Sequence, residues 1–225
     1  MVSEPAVRSG RQVKQERQPE VLEEIKSLAD ARAAVQGCTR CPLYKFATQA
    51  VFGQGPAHAE VMFVGEQPGD QEDLQGKPFV GPAGQVFDRA MEKIGWDRRK
   101  VYVTNAVKHF KFVPRGKRRI HQRPDAGEIQ ACRFWLNLER EFVAPKVIVA
   151  MGATAVRGVL GKVATISSLR GHPTELEDGT LVLATVHPSY LLRMRDRGAA
   201  ALERKRFEDD LKLAARLAET PKRPH

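Results

Sequence analysis

Short apolar runs at residues 61–64, 101–104, 147–151 and 181–186 constrain this chain more than any other feature. Each is valine-rich and nearly unbroken by polar residues, as expected of a strand buried on both faces. Helical spacing fills the gaps between them. Val86, Phe87, Ala90, Met91 and Ile94 share one face after the first run. After the second, a helix opens at Asp125, with Glu128 three residues on as the other half of a capping box. Val156, Val159 and Leu160 follow the third run, and a last helix carries Leu202, Phe207, Leu211 and Leu213. Asp178-Gly179 reads as a hairpin turn leading into the fourth run. Strands alternating with helices predict an α/β fold: a single-domain, three-layer α/β/α sandwich around a mainly parallel, four-stranded central sheet.

In open sheets of this kind, ligands sit beyond the carboxyl ends of the strands. Every unusual segment falls at such an end: Gly65-Glu66-Gln67-Pro68-Gly69-Asp70 after the first strand, Asn105 and Lys108-His109-Phe110 after the second, Gly152-Ala153-Thr154-Ala155 after the third, His187-Pro188-Ser189 after the fourth. Glycine and proline recur through residues 65–85, which makes that stretch a shaped loop rather than a linker. The coincidence predicts one composite site.

The charge says what such a site meets. The 225 residues carry a formal net charge of +10, which points to nucleic acid or another anionic surface. Lys108, Lys111, Arg115, Lys117, Arg118, Arg119 and Arg123 crowd one stretch, where Pro114, Gly116 and Pro124 argue against a helix. A solvated charge run is the plain reading of such a segment. Its place between a strand end and a capped helix, with His109 and His121 inside it, favours a basic loop facing an anion instead. No apolar run is long enough to span a membrane, and no signal peptide is recognisable, so a cytoplasmic monomer is expected. Residues 1–19 read as a disordered basic tail, 20–218 as the folded domain and 219–225 as a flexible end. The domain is expected to open with a helix from Glu20, placing Leu22, Ile25, Leu28 and Ala29 on one face and ending near Gly37.

Cys38 and Cys41 form a Cys-x-x-Cys pair, and Cys132 completes the three cysteines. With His109 they make a set that by ligand type suits a structural zinc or an iron–sulfur cluster with one histidine ligand. Three ordinary buried thiols are the bland alternative. The set would tie the N-terminal helix to the root of the basic loop.

From Cys38 to about Arg193 these motifs resemble the uracil-DNA glycosylase superfamily, and most nearly its iron–sulfur family-four members. His109 standing in place of a fourth cysteine, and the inserted Gly116-Lys117-Arg118-Arg119-Ile120-His121, are similar to the UdgX subgroup. The resemblance implies a 4Fe-4S cluster on Cys38, Cys41, His109 and Cys132, with zinc the weaker alternative. It implies uracil-containing DNA as substrate and His121 as a nucleophile that stays bonded to the sugar after uracil leaves. Glu66, Gln67, Asp70, Phe79, Asn105, Arg119 and His187 carry over to the uracil pocket and its surroundings.

Each residue type suits its implied place. Phe79 offers a stacking face. Asn105 has a donor and an acceptor for uracil O4 and N3–H, a pattern that cytosine reverses. His187 suits donation to uracil O2 as charge builds there. Glu66 suits stabilising a cationic sugar, or orienting or deprotonating His121. Asp70 suits holding a water or the loop backbone. Lys117, Arg118 and Arg119 are expected to grip phosphates beside the lesion. With no wedge helix evident, single-stranded substrate is expected, since an unpaired base costs less to extrude.

Overall fold

The computed structural model of the chain describes residues 25–220. The expected tail at 1–19, the helix start at Glu20, Leu22 and the last five residues lie outside that span. Within it the first helix, α1, runs from Leu28 to Ala34, with Ile25 ahead of it rather than inside it, and two further short helices are α2 (Asp70–Gln75) and α6 (Ile166–Leu169). Ser27 accepts a hydrogen bond from the Asp30 backbone N–H and so fixes the helix start.

The central sheet has five strands in the order β2-β1-β5-β7-β6. β1 (Val61–Gly65), β2 (Tyr102–Asn105), β5 (Val147–Met151) and β7 (Leu181–Thr185) are the expected parallel four. The fifth strand corrects the expected count. β6 (Thr174–Glu175) is the first arm of the Asp178-Gly179 hairpin and pairs antiparallel on the edge of β7.

The period of two along each strand sorts the side chains into two cores. Val61, Phe63, Val103, Val149 and Leu183 pack beneath α3 (Pro82–Lys93), α7 (Pro188–Arg193) and α8 (Arg197–Glu219). Met62, Val64, Tyr102, Ile148 and Ala184 pack against α4 (Ala126–Val143) and α5 (Ala153–Leu160) on the other face. The sandwich is therefore three layers, α/β/α. A third, smaller core joins α1 to α4 through Ala31, Val35, Phe52, Ile129, Trp135 and the three cysteines.

The capping box forms as expected at the start of α4: Asp125 accepts from Glu128 N at 3.0 Å and Glu128 accepts from Asp125 N at 2.8 Å. The basic segment is more ordered than a loop. β3 (Phe112–Arg115) and β4 (Arg118–His121) form a separate two-stranded antiparallel ribbon, with Phe112 opposite His121 and Pro114 opposite Arg119. Pro114 is tolerated because an isolated ribbon leaves its outer edges unpaired.

From β2 the chain crosses to the far side of β1 to lay down β5, so the order reverses between β1 and β5. Such a switch point opens a crevice at the strand ends. The site residues gather around it.

Candidate active site

A cavity of about 620 Å³ lies beyond the strand ends, lined among others by Glu66, Gln67, Asp70, Phe79, Asn105, His121 and His187. The loops after β1, β2 and β7 and the root of the ribbon thus converge on one space. Of the expected pocket residues, only Arg119 is not on its wall.

Asn105 ends β2 and is almost wholly buried, yet its Oδ1 accepts no hydrogen bond from any described residue. A buried carbonyl oxygen left without a donor is costly, unless a ligand supplies one. Gly65 is what lets this amide meet Phe79. A Cβ at position 65 would lie 2.4 Å from Asn105 Oδ1 and 2.6 Å from Phe79 Cζ. Phe79 itself holds a left-handed backbone, φ 57°, and its carbonyl lies where a Cβ on Gly84 would be, 1.8 Å away. Glu72 fixes the two loops that form this wall, accepting from Gly81 N at 2.8 Å and Gly69 N at 3.1 Å.

His187 caps α7 and accepts the Ser189 backbone N–H at Nδ1, 3.2 Å away. The neutral ring therefore carries its proton on Nε2. Burial pushes its pKa down to about 4, only partly countered by the Glu66 carboxylate. His187 is thus a neutral donor at physiological pH. Its ring lies 5.9 Å from that of Phe79.

Glu66 sits across the switch point: Thr154, at the start of α5, donates to its Oε2 at 2.6 Å. His121 Nε2 lies 3.2 Å from Oε1. Burial alone would raise the Glu66 pKa, but hydrogen bonds from His121 and Thr154 outweigh it and hold the carboxyl below its ordinary value. It is a carboxylate beside an imidazole whose side chain is 48% exposed.

The ribbon that brings His121 here is anchored at root and middle. Gln67, expected at the substrate, donates through Nε2 to the carbonyls of Lys111 and Gln122 and accepts from Lys111 N. It sutures both arms at the root. Arg119, also expected at the substrate, donates to Asp70 Oδ1 at 2.6 Å and to the fully buried Asp73. It lies 5.4 Å from the Phe110 ring and 5.1 Å from the Phe112 ring. Lys117 and Arg118 stand exposed at the tip.

Comparison with known proteins agrees with this geometry. The family model described as "Uracil DNA glycosylase superfamily" matches residues 52–212, a stretch that includes every residue of the cavity wall named above. The chain belongs to this superfamily. It is 40% identical to the Type-4 uracil-DNA glycosylase of Thermotoga maritima over 174 residues, covering 77% of this chain and 86% of that protein. With the Type-4 enzyme of Sulfurisphaera tokodaii the identity is 36% over 88% of each chain. A Type-5 uracil-DNA glycosylase of Pyrobaculum aerophilum is 30% identical, covering 68% of this chain and 79% of its own.

The remaining expected residues of this superfamily member form the second layer. Cys38, Cys41 and Cys132 are buried, free thiols in the core shared by α1 and α4. His109 is 4% exposed, and its Nδ1 has no partner among the described residues. Trp135 Nε1 donates to Cys38 Sγ at 3.0 Å and Lys108 N to Cys132 Sγ at 3.1 Å. Burial pushes the Cys132 thiol up to about 12 and Cys41 up as well. Buried thiols, an orphaned imidazole nitrogen and N–H groups aimed at sulfur fit a bound cationic centre. Among the described residues, no three His, Cys, Asp or Glu side chains converge as the ligands of one ion would. A cluster, whose ligands are bonded to different irons, asks for a wider ring.

Wall residues Leu192 and Arg193 escaped the sequence reading, as did the bond to Glu66 made by Thr154, in the segment expected at the third strand end. A second groove beside His121 adds Arg123 and Tyr190. Tyr190 and Leu192 are 45% and 49% exposed on α7. The available signal was an apolar stretch, residues 190–192, in a helix too short to bury all its faces. No described helix is long and apolar enough to cross a membrane.

Proposed function

We propose that this chain is a uracil-DNA glycosylase of the UdgX type. It excises uracil from DNA and stays bonded through His121 to C1′ of the sugar. One observation carries the reading: His121 lines the same cavity as Phe79, Asn105 and His187, with Nε2 3.2 Å from Glu66.

The flipped uracil stacks on Phe79. Its N3–H meets the unpartnered Asn105 Oδ1, and O4 takes the amide N–H, a pairing that cytosine would break. The His187 Nε2–H donates to O2 as the base departs, where a fixed neutral donor stabilises growing negative charge. The N1–C1′ bond breaks and its electron pair leaves on uracil. Glu66, a carboxylate, stabilises the cationic sugar. The neutral imidazole of His121 bears one lone pair and one N–H. The lone pair forms the new bond to C1′, and the N–H proton is then the one lost. Glu66 is the carboxylate within reach, and passes the proton to solvent or to uracil. The products are a neutral sugar–imidazole adduct and neutral uracil. A carbon–nitrogen bond to imidazole leaves poorly, so the adduct persists.

Cys38, Cys41, His109 and Cys132 are the residues to hold a 4Fe-4S cluster, which when bound supplies a structural tie between α1, α4 and the root of the ribbon. Lys117 and Arg118 meet flanking phosphates, making affinity fall steeply with salt. Tyr190 and Leu192 offer a surface for a neighbouring base, worth about 1–3 kcal/mol per stacked base. That contact suits the single-stranded substrate proposed here.

The half exposure of His121 favours a second reading, hydrolytic turnover, in which water reaches C1′ first. A denaturing gel with a uracil-containing oligonucleotide separates the two. A heat- and detergent-stable shifted band supports the adduct. Strand cleavage after alkali without a shift supports hydrolysis. Neither result leaves a non-catalytic uracil-DNA binding protein.

A further inference from the structure

Lys108 is the least expected residue in the core. Its side chain is fully buried, as is that of Glu139, its ion-pair partner on α4. Burying two charges is expensive, and apolar residues of similar volume often serve stability as well or better. The pair therefore calls for a reason other than packing, and its contacts supply one. Lys108 Nζ turns back along its own chain and donates at 2.7 Å to the Asn105 carbonyl and at 2.7 Å to Thr104 Oγ1. Its backbone N–H donates to Cys132 Sγ, and its carbonyl accepts from Val51 N at 2.8 Å. Glu139 completes the knot, accepting from Gly53 N, Tyr102 Oη and Thr104 Oγ1 as well as from Lys108.

The backbone on either side is equally constrained. Ala106 N and Val107 N donate to the carbonyls of Gly65 and Glu66. The segment between the Asn105 amide and His109 is thus one closed turn, held by an ammonium group where a helix would use a backbone N–H. Among the described residues, the Asn105 side-chain oxygen has no partner of its own to aim it. Its direction comes from the backbone that Lys108 clamps and the slot that Gly65 leaves.

We propose that Lys108 is a positioning residue for uracil recognition: paired with Glu139, it fixes the strand end that aims Asn105 and locks that aim to the layer of Cys132 and His109. The inference rests on the uracil-reading role of Asn105 given above.

The test uses the full-length, purified protein with three readouts: affinity for free uracil, affinity for a uracil-free single-stranded oligonucleotide, and visible absorbance per chain. Lys108→Met alone strands a buried carboxylate, so Lys108→Met/Glu139→Gln, which leaves no unpaired charge and keeps acceptors for Gly53 and Tyr102, carries the decision. We expect the double variant to bind uracil at least tenfold more weakly, with oligonucleotide affinity within twofold and absorbance retained. Unchanged uracil affinity overturns the proposal. So does a parallel loss of all three, or of the folded protein, because that is what a merely structural pair would give. Wild-type protein with no measurable uracil affinity refutes the Asn105 reading itself, a result distinct from either.

Discussion

Replacing Arg119 with alanine separates two roles for the ribbon. Arg119 joins a side chain that is 21% exposed to a fully buried carboxylate, Asp73. Breaking a buried pair costs about 3–5 kcal/mol, and the partial exposure puts this one near the low end. Asp73 also keeps its bonds from Thr48 N and Oγ1, which lowers the cost further, to about 2 kcal/mol. Asp70 is 44% exposed, so its pair with Arg119 adds at most about 0.5 kcal/mol after screening. The contacts with the Phe110 and Phe112 rings add about 0.5–1 kcal/mol. The total is about 3 kcal/mol for docking the middle of the ribbon, roughly a hundredfold shift toward an undocked state at 1.4 kcal/mol per decade. Gln67 still holds the backbone at the root beside His121, but the β4 arm two residues away is released, so the tip should detach and the His121 side chain should lose its fixed approach to the cavity. The assay pairs two measurements: the rate of adduct formation at saturating DNA, and tryptic cleavage after Lys117 and Arg118. Arg119→Ala should slow the first by ten- to a hundredfold and speed the second. If the saturated rate stays within threefold of wild type while DNA affinity drops and its salt slope shallows by about one, Arg119 grips a phosphate instead and the latch is refuted.

His121→Gly should open C1′ to water, giving uracil release with turnover and no shifted band; loss of all uracil release would show that water is not what His121 excludes. Because Glu66 is held below its ordinary value, its contribution is present at neutral pH and lost only as pH falls through that lowered value. Wild-type adduct rates should therefore keep an acid limb that lies below the ordinary carboxylate range, whereas Glu66→Gln should be slower by about 10²–10³ and lack that limb. His187 works in the same sense, over a higher pH range: an unfolded chain protonates it near ~6.5 and the native chain only near about 4, so stability falls as pH drops between these values, by up to about 2 kcal/mol at pH 5. Thermal midpoints of wild type and His187→Asn at pH 7.5 and 5 should diverge accordingly. Trp135→Phe removes the N–H donor to Cys38 Sγ. In cluster-loaded protein, followed by redox titration, it should lower the reduction potential by about 40 mV, the equivalent of about 1 kcal/mol for one electron.

The strands and their order of use were readable because buried parallel strands are uninterrupted apolar runs, and the capping box at Asp125 because a cap is a local code. The convergence of Glu66, Asn105 and His187 followed from strand ends alone. The ribbon was not readable: Arg115, Lys117 and Arg118 carry neither the alternation nor the β-branched content of a strand, and Ile120 and Val113 are too few to restore it. The partners of Gln67 and Arg119 were beyond reach for another reason. Residue type shows what a side chain offers, whereas whether Asp73 or a phosphate takes the offer depends on packing at a separation of 46 residues. The segment 152–155 was readable as a strand-end part of the site, but the bond from Thr154 to Glu66 was not, because a threonine opening a helix looks like an ordinary helix start.

The left-handed backbone at Phe79 has a cost, of order 1–3 kcal/mol, that is met when the chain folds. The aromatic platform is consequently preorganised before any nucleotide arrives, and an incoming base loses little freedom beyond its own. The control point lies elsewhere in sequence, at Gly84 on a buried turn of α3, where even a methyl group would collide with the Phe79 carbonyl. Variation at that helical position should therefore surface as altered base selectivity, in a residue that never touches the base.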